Sequence, residues 1–341
     1  MKIALDAMGG DKAPQETVKG AMAAAGENDV DLILVGRSND IEAELGRYVK
    51  HPGYQRVSIA PATEVIEMEE HPAMAARTKK DSSMVVGLKL VASGEAAAFV
   101  SAGNSGAVLA ASLFTLGRIR GVERPGLGAV FPTLNGNARS ILIDAGAVTD
   151  CEPVFLLQFA HMGSIYMEKV LGVAQPRVGL LSNGEEETKG NQLVLKARQL
   201  LQESKLNFVG NVEGKDLPLG VVDVVVADGF TGNVALKVSE GVSEAVLQMV
   251  KDTINSRLHY RLAALLLMPA LRQLVKQTHF TEYGGVPLLG VNGVTIVAHG
   301  RSDARAIASA VRVAKHAVEV GMVSAISEGI RAGDEESRLR A

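Results

Sequence analysis

Short apolar runs that alternate with longer stretches of helical period leave this chain few ways to fold. Runs of that length bounded by turn residues read as strands buried on both faces, which need crossover helices to cover them. The series occupies residues 2–5, 31–35, 57–60, 97–100, 141–143, 178–181, 207–209 and 222–227. Between these runs, residues 13–25, 105–116, 154–171, 188–201 and 234–250 are rich in alanine or leucine and nearly free of proline, the composition of helices. Strand, loop and helix in repetition predict an α/β fold with a parallel sheet.

At 341 residues, 47% of them hydrophobic and 21% charged, the chain can bury a large core. The expected organisation is one α/β body over residues 1–333, with a helical insertion at 254–278 and a charged tail at 334–341. The insertion, INSRLHYRLAALLLMPALRQLVKQT, breaks the alternation. Its leucines and Pro269 predict two short helices joined at a kink. Leu258, Leu262, Leu265 and Leu266 share a face before the proline, as do Leu271 and Leu274 after it. Arg257, Arg261, Arg272 and Lys276 flank these faces, a pairing suited to reversible binding at an anionic membrane surface. The competing expectation is that the stripe packs in a dimer interface or in the core.

A formal net charge of −3 excludes a globally basic surface, so nucleic acid is not an expected partner. The single cysteine, Cys151, cannot form an intrachain disulfide, and the opening MKIALDAMGG lacks the basic-then-apolar pattern of a signal peptide. Both favour a cytoplasmic protein. The longest apolar run, residues 262–271, falls well short of the roughly 20 residues that cross a bilayer as a helix.

In an open parallel sheet, ligands bind beyond the carboxyl ends of the strands, where loops enter helices. Three such loops are rich in glycine and small polar residues: Asp6-Ala7-Met8-Gly9-Gly10-Asp11, Ser101-Ala102-Gly103-Asn104-Ser105-Gly106 and Asp228-Gly229-Phe230-Thr231-Gly232-Asn233. Glycines let backbone N–H groups approach an anion, and a helix N-terminus adds partial positive charge. Each loop alone reads as a tight turn, whereas three converging would form a phosphate site. A fourth loop, residues 183–190 with the sequence NGEEETKG, supplies Lys189 as the candidate cation. The alternative for Lys189 is a solvated side chain paired with Glu185 or Glu186.

No strand leads into G-x-G-x-x-G with an acidic residue about 20 positions on, and the lysine of NGEEETKG is not followed by the Ser or Thr of a Walker loop. The seven histidines are scattered without an H-E-x-x-H pair. No dinucleotide, metal or other cofactor is expected. Cys151 stands between Asp150 and Glu152, acids expected to raise its pKa and blunt it as a nucleophile. Asp144 and His299 also stand at strand ends, where a lone histidine is more often a hydrogen-bonded structural residue.

Taken together, LDAMGGD, SAGNSGA, NGEEETKG, DGFTGNVALK, YGGVPLLG and AHG resemble, in this order and over nearly the whole chain, the bacterial phosphate:acyl carrier protein acyltransferases (PlsX type). The resemblance implies a Rossmann-like three-layer α/β/α sandwich similar to isopropylmalate dehydrogenase and phosphotransacetylase. It also implies a homodimer that makes long-chain acyl phosphate from acyl carrier protein thioester and inorganic phosphate, the first step toward phosphatidic acid. The family's catalytic lysine falls on Lys189 and its asparagine on Asn233. Asp6, Gly9, Gly10, Asp11, Asn104, Ser105, Gly106, Asp228, Gly229, Thr231, Gly232 and His299 form the expected substrate-binding set. Ser105, Val286 and Ala298 stand where threonine, alanine, and serine or lysine are common in that family, and the hydroxyl is kept at 105.

The expected mechanism has phosphate as the nucleophile, held by N–H groups of Gly9, Gly10, Ser105 and Gly106, with Lys189 offsetting its charge. Asn233, or a backbone N–H beside it, stabilises the tetrahedral oxyanion. Three rivals stand beside it. One is a short-chain phosphotransacetylase using coenzyme A, for which the leucine-rich segment is unneeded. The others are a peripheral membrane module without turnover and a dehydrogenase of the isopropylmalate type.

Overall fold

The computed structural model describes residues 1–27, 30–134, 139–278 and 284–340, with side chains described outside 269–278 and 334–340. The first part of the chain forms β1 (Lys2–Asp6), α1 (Gln15–Glu27), β2 (Asp31–Gly36), α2 (Ser38–Leu45), β3 (Val57–Pro61), α3 (Pro72–Thr78), α4 (Ser83–Ala92), β4 (Ala98–Ser101) and α5 (Ser105–Thr115). The middle forms β5 (Gly126–Leu127), β6 (Ala129–Pro132), β7 (Arg139–Ile143), α6 (Pro153–Lys169), β8 (Val178–Leu181), α7 (Gln192–Glu203), β9 (Phe208–Val212) and β10 (Val224–Val226). The last part forms α8 (Gly229–Ser256), α9 (Leu258–Thr278), β11 (Val286–Leu289), β12 (Val294–Val297), α10 (Ala304–Glu319) and α11 (Met322–Arg340).

The strands divide between two sheets. The first runs β3-β2-β1-β4-β12-β11-β5, and the second β6-β7-β10-β8-β9. From β3 to β12 the first sheet is parallel, and β11 and β5 close its edge antiparallel. In the second, β6 is the antiparallel edge on a parallel set. Buried residues run without alternation through β4, β8, β10 and β12, as strands covered on both faces require. The α/β expectation holds.

The chain passes from one sheet to the other at β5 and β6, and Asp144 at the end of β7 fastens that passage. Its Oδ1 accepts the Leu127 N–H at 2.9 Å, while the Ala145 N–H donates to the Leu127 carbonyl at 2.9 Å.

Two helix expectations are corrected. Residues 234–250 are the middle of the 28-residue α8, which begins at Gly229 because the Asp228 carboxylate caps it, Oδ1 accepting the Thr231 N–H at 2.9 Å. The kink expected at Pro269 is not where the helices part. They separate at Arg257, whose backbone is extended at φ −141° and ψ 147°, and α9 continues through position 269. Arg261 supports the break. Its guanidinium donates to the Asn255 carbonyl from Nε at 3.2 Å and from Nη2 at 2.8 Å, satisfying a group that a continuous helix would have paired. No described helix is long and apolar enough to cross a membrane.

Candidate active site

The loops after β1, β4 and β12 meet at the carboxyl edge of the first sheet. Asp6, fully buried, accepts the Ser101 hydroxyl at 2.7 Å and the Met8 N–H at 3.1 Å, with Ser83 and the Gly9 N–H as further donors. Burial pushes its carboxyl above the ordinary carboxylate value, and these donors oppose the push. Gly9 lies so close to the next loop that a Cβ would stand 2.6 Å from Asp6 Oδ2 and 2.8 Å from the Gly103 nitrogen. The Asp11 N–H donates to the Gly300 carbonyl at 2.8 Å, which ties in the third loop. Asn104 caps α5 through the Ala107 N–H at 3.1 Å and donates to the Met68 carbonyl at 2.9 Å. Gly10 packs on Ala102 and Gly300, and Gly106 packs on Pro72 of α3.

On the second sheet, the Asp144 carboxylate gathers the loop after β7. Besides Leu127 it accepts the N–H groups of Gly146, Ala147 and Val148, the last at 2.7 Å. Burial raises its pKa while these backbone donors pull it down. The first turn of α8 lies on this loop. Gly229 packs on the Asp144 carboxylate and Gly232 on its carbonyl, and Asn233 Nδ2 donates to the Ala145 carbonyl at 3.0 Å.

Between the sheets, along α8, lies a cavity of about 460 Å³. Ser105 at the start of α5, Gly146 and Asn233 line it. Leu127, Val130, Leu236, Leu247, Val286 and Val297 give it apolar walls, and Lys237, Glu244, His299 and Arg301 also line it. Lys237 Nζ pairs with Glu240 at 2.8 Å, and Arg301 Nη2 reaches across to Glu244 at 3.3 Å. The His299 Nδ1 accepts the Arg301 N–H at 3.1 Å. Burial, then the nearby Lys237 ammonium, lowers the pKa of that imidazole.

Lys189 belongs to a different wall. It is exposed, in the loop between β8 and α7, beside a second cavity of about 480 Å³ lined by Ser182, Gly190, Asp228 and Thr231 among others. The acids beside it are engaged elsewhere: Glu187 with Arg198 of α7 at 2.6 Å, and Glu185 with Lys215 at 3.1 Å. Asn211 Nδ2 donates to the Glu186 carbonyl at 3.0 Å and to the Lys189 carbonyl at 3.4 Å. Among the described residues, no carboxylate pairs with Lys189. Glu185, Glu213 and Asp216 bring carboxylate oxygens within 4.8 Å of one another, but Lys215 lies against Glu185 and Glu213.

Of the expected set, Ser105, Asn233 and His299 line the first cavity, and Asp228 and Thr231 the second. Asp6, Gly9, Gly10, Asp11, Asn104, Gly106, Gly229, Gly232 and Lys189 line neither. Lys237, outside the expected set, carries a sequence signal, since it follows Asn233 by one helical turn in DGFTGNVALK. Arg301 carried no signal beyond its place after His299. The expectation for Cys151 needs a correction of cause. Its thiol is pushed up to about 11 first by burial, then by Asp144 and Asp228, which the fold brings near, and by the neighbouring Asp150 as expected.

A family model described as fatty acid synthesis protein matches residues 1–325. A phosphate acyltransferase of Heliobacterium modesticaldum is 53% identical over 330 residues, covering 97% of this chain and 98% of that one. One from Thermoanaerobacter pseudethanolicus is 46% identical over 339 residues, covering 99% of this chain and 100% of that one. The chain belongs to the phosphate acyltransferase family. It is an acyltransferase, as the motif resemblance implied. A phosphotransacetylase from Streptococcus pyogenes shares the fold at a TM-score of 0.61 and 15% identity, covering 97% of this chain and 94% of its own. A branched-chain phosphotransacylase from Enterococcus faecalis V583 does so at 0.57 and 14%, covering 93% and 99%. At such identities the likeness concerns architecture, and it agrees with a Rossmann-like α/β/α arrangement.

Proposed function

We propose that this acyltransferase moves a long-chain acyl group from an acyl carrier protein thioester to inorganic phosphate, giving acyl phosphate for phospholipid synthesis. The observation that carries the proposal is the cavity of largely apolar lining that α8 borders from Asn233 to Leu247, with Ser105 and Asn233 near the starts of two helices. An acetyl group would fill only a small part of it. A chain of methylenes gains from the apolar walls, about 0.8 kcal/mol for each CH₂ buried.

In the proposed reaction a phosphate oxygen attacks the thioester carbonyl near Asn233 and Ser105. The tetrahedral oxyanion forms against the N-terminal turn of α8, whose dipole favours negative charge. The carbon–sulfur bond then breaks, and the thiolate leaves and takes a proton from water, an easy departure for a group of pKa about 8.5. Lys189, with which no carboxylate pairs among the described residues, is the cation that closes on the phosphate from the other side of the α8 start. Cys151 takes no part, because its raised pKa keeps it a thiol near neutral pH.

The rest of α8 and α9 supports the proposed partners. Phe230, Val234, Val238, Val242, Val246 and Met249 form an outward stripe along α8, with Met249 68% exposed. An apolar face that long on one chain is what a second copy would cover, giving a homodimer. Leu258, Leu262, Leu265 and Leu266 are exposed on α9, the last at 86%, while Ala264 is buried. With Arg257 and Arg261 beside them, these leucines suit a cytoplasmic enzyme that binds an anionic membrane reversibly. The side chains of Leu271 and Leu274 lie outside the described residues. Incubation with acylated carrier protein and phosphate, followed by mass spectrometry for acyl phosphate, tests the reaction. Turnover with acetyl coenzyme A alone would replace it with the short-chain reading.

A further inference from the structure

We infer that the half-buried face of α8 measures the acyl chain, with Ser243 and Leu247 as its length-determining positions; the inference rests on the long-chain donor proposed above. Asn233 at the reacting end and Leu247 at the far end line the same cavity. A helix rises about 1.5 Å per residue, so the two lie about 21 Å apart along the axis. An extended chain advances about 3.6 Å over three bonds, so that distance takes about 17 bonds. Hexadecanoyl and octadecanoyl groups have that length.

Ser243 lies about 15 Å from Asn233 on the same scale, level with about the twelfth bond. It is half-buried on the cavity face, whereas Val242 and Val246 beside it face outward. A serine there is small enough to let the chain pass. Glu244 reaches the opposite wall at this level through its ion pair with Arg301, which ties the two sides of the groove together. Beyond it Leu247, also half-buried, supplies the bulk that ends the groove.

The test measures kcat/KM for octanoyl, hexadecanoyl and icosanoyl carrier-protein thioesters in the wild-type protein, Ser243→Phe and Leu247→Ala. A ring at 243 should lower the hexadecanoyl-to-octanoyl ratio at least about tenfold. Leu247→Ala should raise the icosanoyl-to-hexadecanoyl ratio at least about threefold. Unchanged ratios in variants that are folded by circular dichroism overturn the groove as the ruler and leave the reaction standing. If Ser243→Phe does not fold, the Leu247→Ala ratio decides alone. Wild-type protein that makes no acyl phosphate from any of the three donors overturns the donor proposal, and the ruler with it.

Discussion

A Cβ built on Gly232 would stand 1.9 Å from the carbonyl oxygen of Asp144. No side chain fits there, so the first turn of α8 is pressed onto the end of β7, which holds Asn233 against Ala145. Gly232→Ala must push α8 away from β7. The expected cost is about 1–3 kcal/mol of stability in denaturant unfolding, the range for overpacking a filled site. Turnover should fall at least about tenfold as Asn233 shifts. Wild-type stability and rate in this variant would show that the contact yields without consequence.

Lys189 is the cation proposed for phosphate, and its neighbours Glu185 and Glu187 are held by Lys215 and Arg198. Lys189→Ala should lower acyl-phosphate formation at least about 10²-fold with little change in Tm, as expected for a lost electrostatic contact at the reacting centre. Glu187→Ala should act differently. It leaves the guanidinium of Arg198, buried on α7, without this partner and should lower Tm before it lowers kcat. Near-normal activity in folded Lys189→Ala would remove that residue from the mechanism.

Most parallel strands were legible because strands buried on both faces are continuously apolar, but β12 at Val294–Val297, equally buried and parallel to β4, lay outside the expected series. The antiparallel edges were not legible. β5 is only Gly126 and Leu127, β6 ends on Pro132 and β11 contains Pro287, residues that read as turns and are tolerated because these strands border a sheet or its passage. The glycines at 229 and 232 argued against a helix start that the Asp228 cap and the close packing on Asp144 impose. In the candidate site, loop position pointed to Ser105, Asn233 and His299, which line the first cavity, whereas most of the expected glycines line neither. The pairs Arg301–Glu244 and Arg198–Glu187 join separate elements, and neither periodicity nor spacing reports such contacts.

His299 gives a pH dependence with a definite sign. Burial and Lys237 lower its pKa from the ordinary 6.5, against the opposing charges of Glu240 and Asp11. A lowered folded value favours the neutral ring, whose Nδ1 accepts the Arg301 N–H. The stability it contributes is complete above 6.5 and is lost as pH falls through the folded value. An NMR titration of the His299 ring should therefore show a midpoint below 6.5, and a midpoint above it contradicts the assignment.

The two exposed stripes should separate by mutation. Leu266→Glu on α9 should abolish salt-sensitive sedimentation with anionic vesicles and leave the dimer intact. Val242→Glu on α8 should dissociate the dimer in analytical ultracentrifugation. If Leu266→Glu dissociates the dimer while still sedimenting with vesicles, the α9 stripe is an interface between copies.

Transfer of a long acyl chain from carrier protein to phosphate is proposed to need no cofactor. Mass spectrometry of the wild-type protein incubated with hexadecanoyl carrier protein and phosphate, after exhaustive chelation, tests it most directly. Hexadecanoyl phosphate and free carrier-protein thiol are expected in equal amounts, with formation strictly dependent on added phosphate. Thiol release without acyl phosphate, or turnover restored only by a divalent metal, would contradict that proposal.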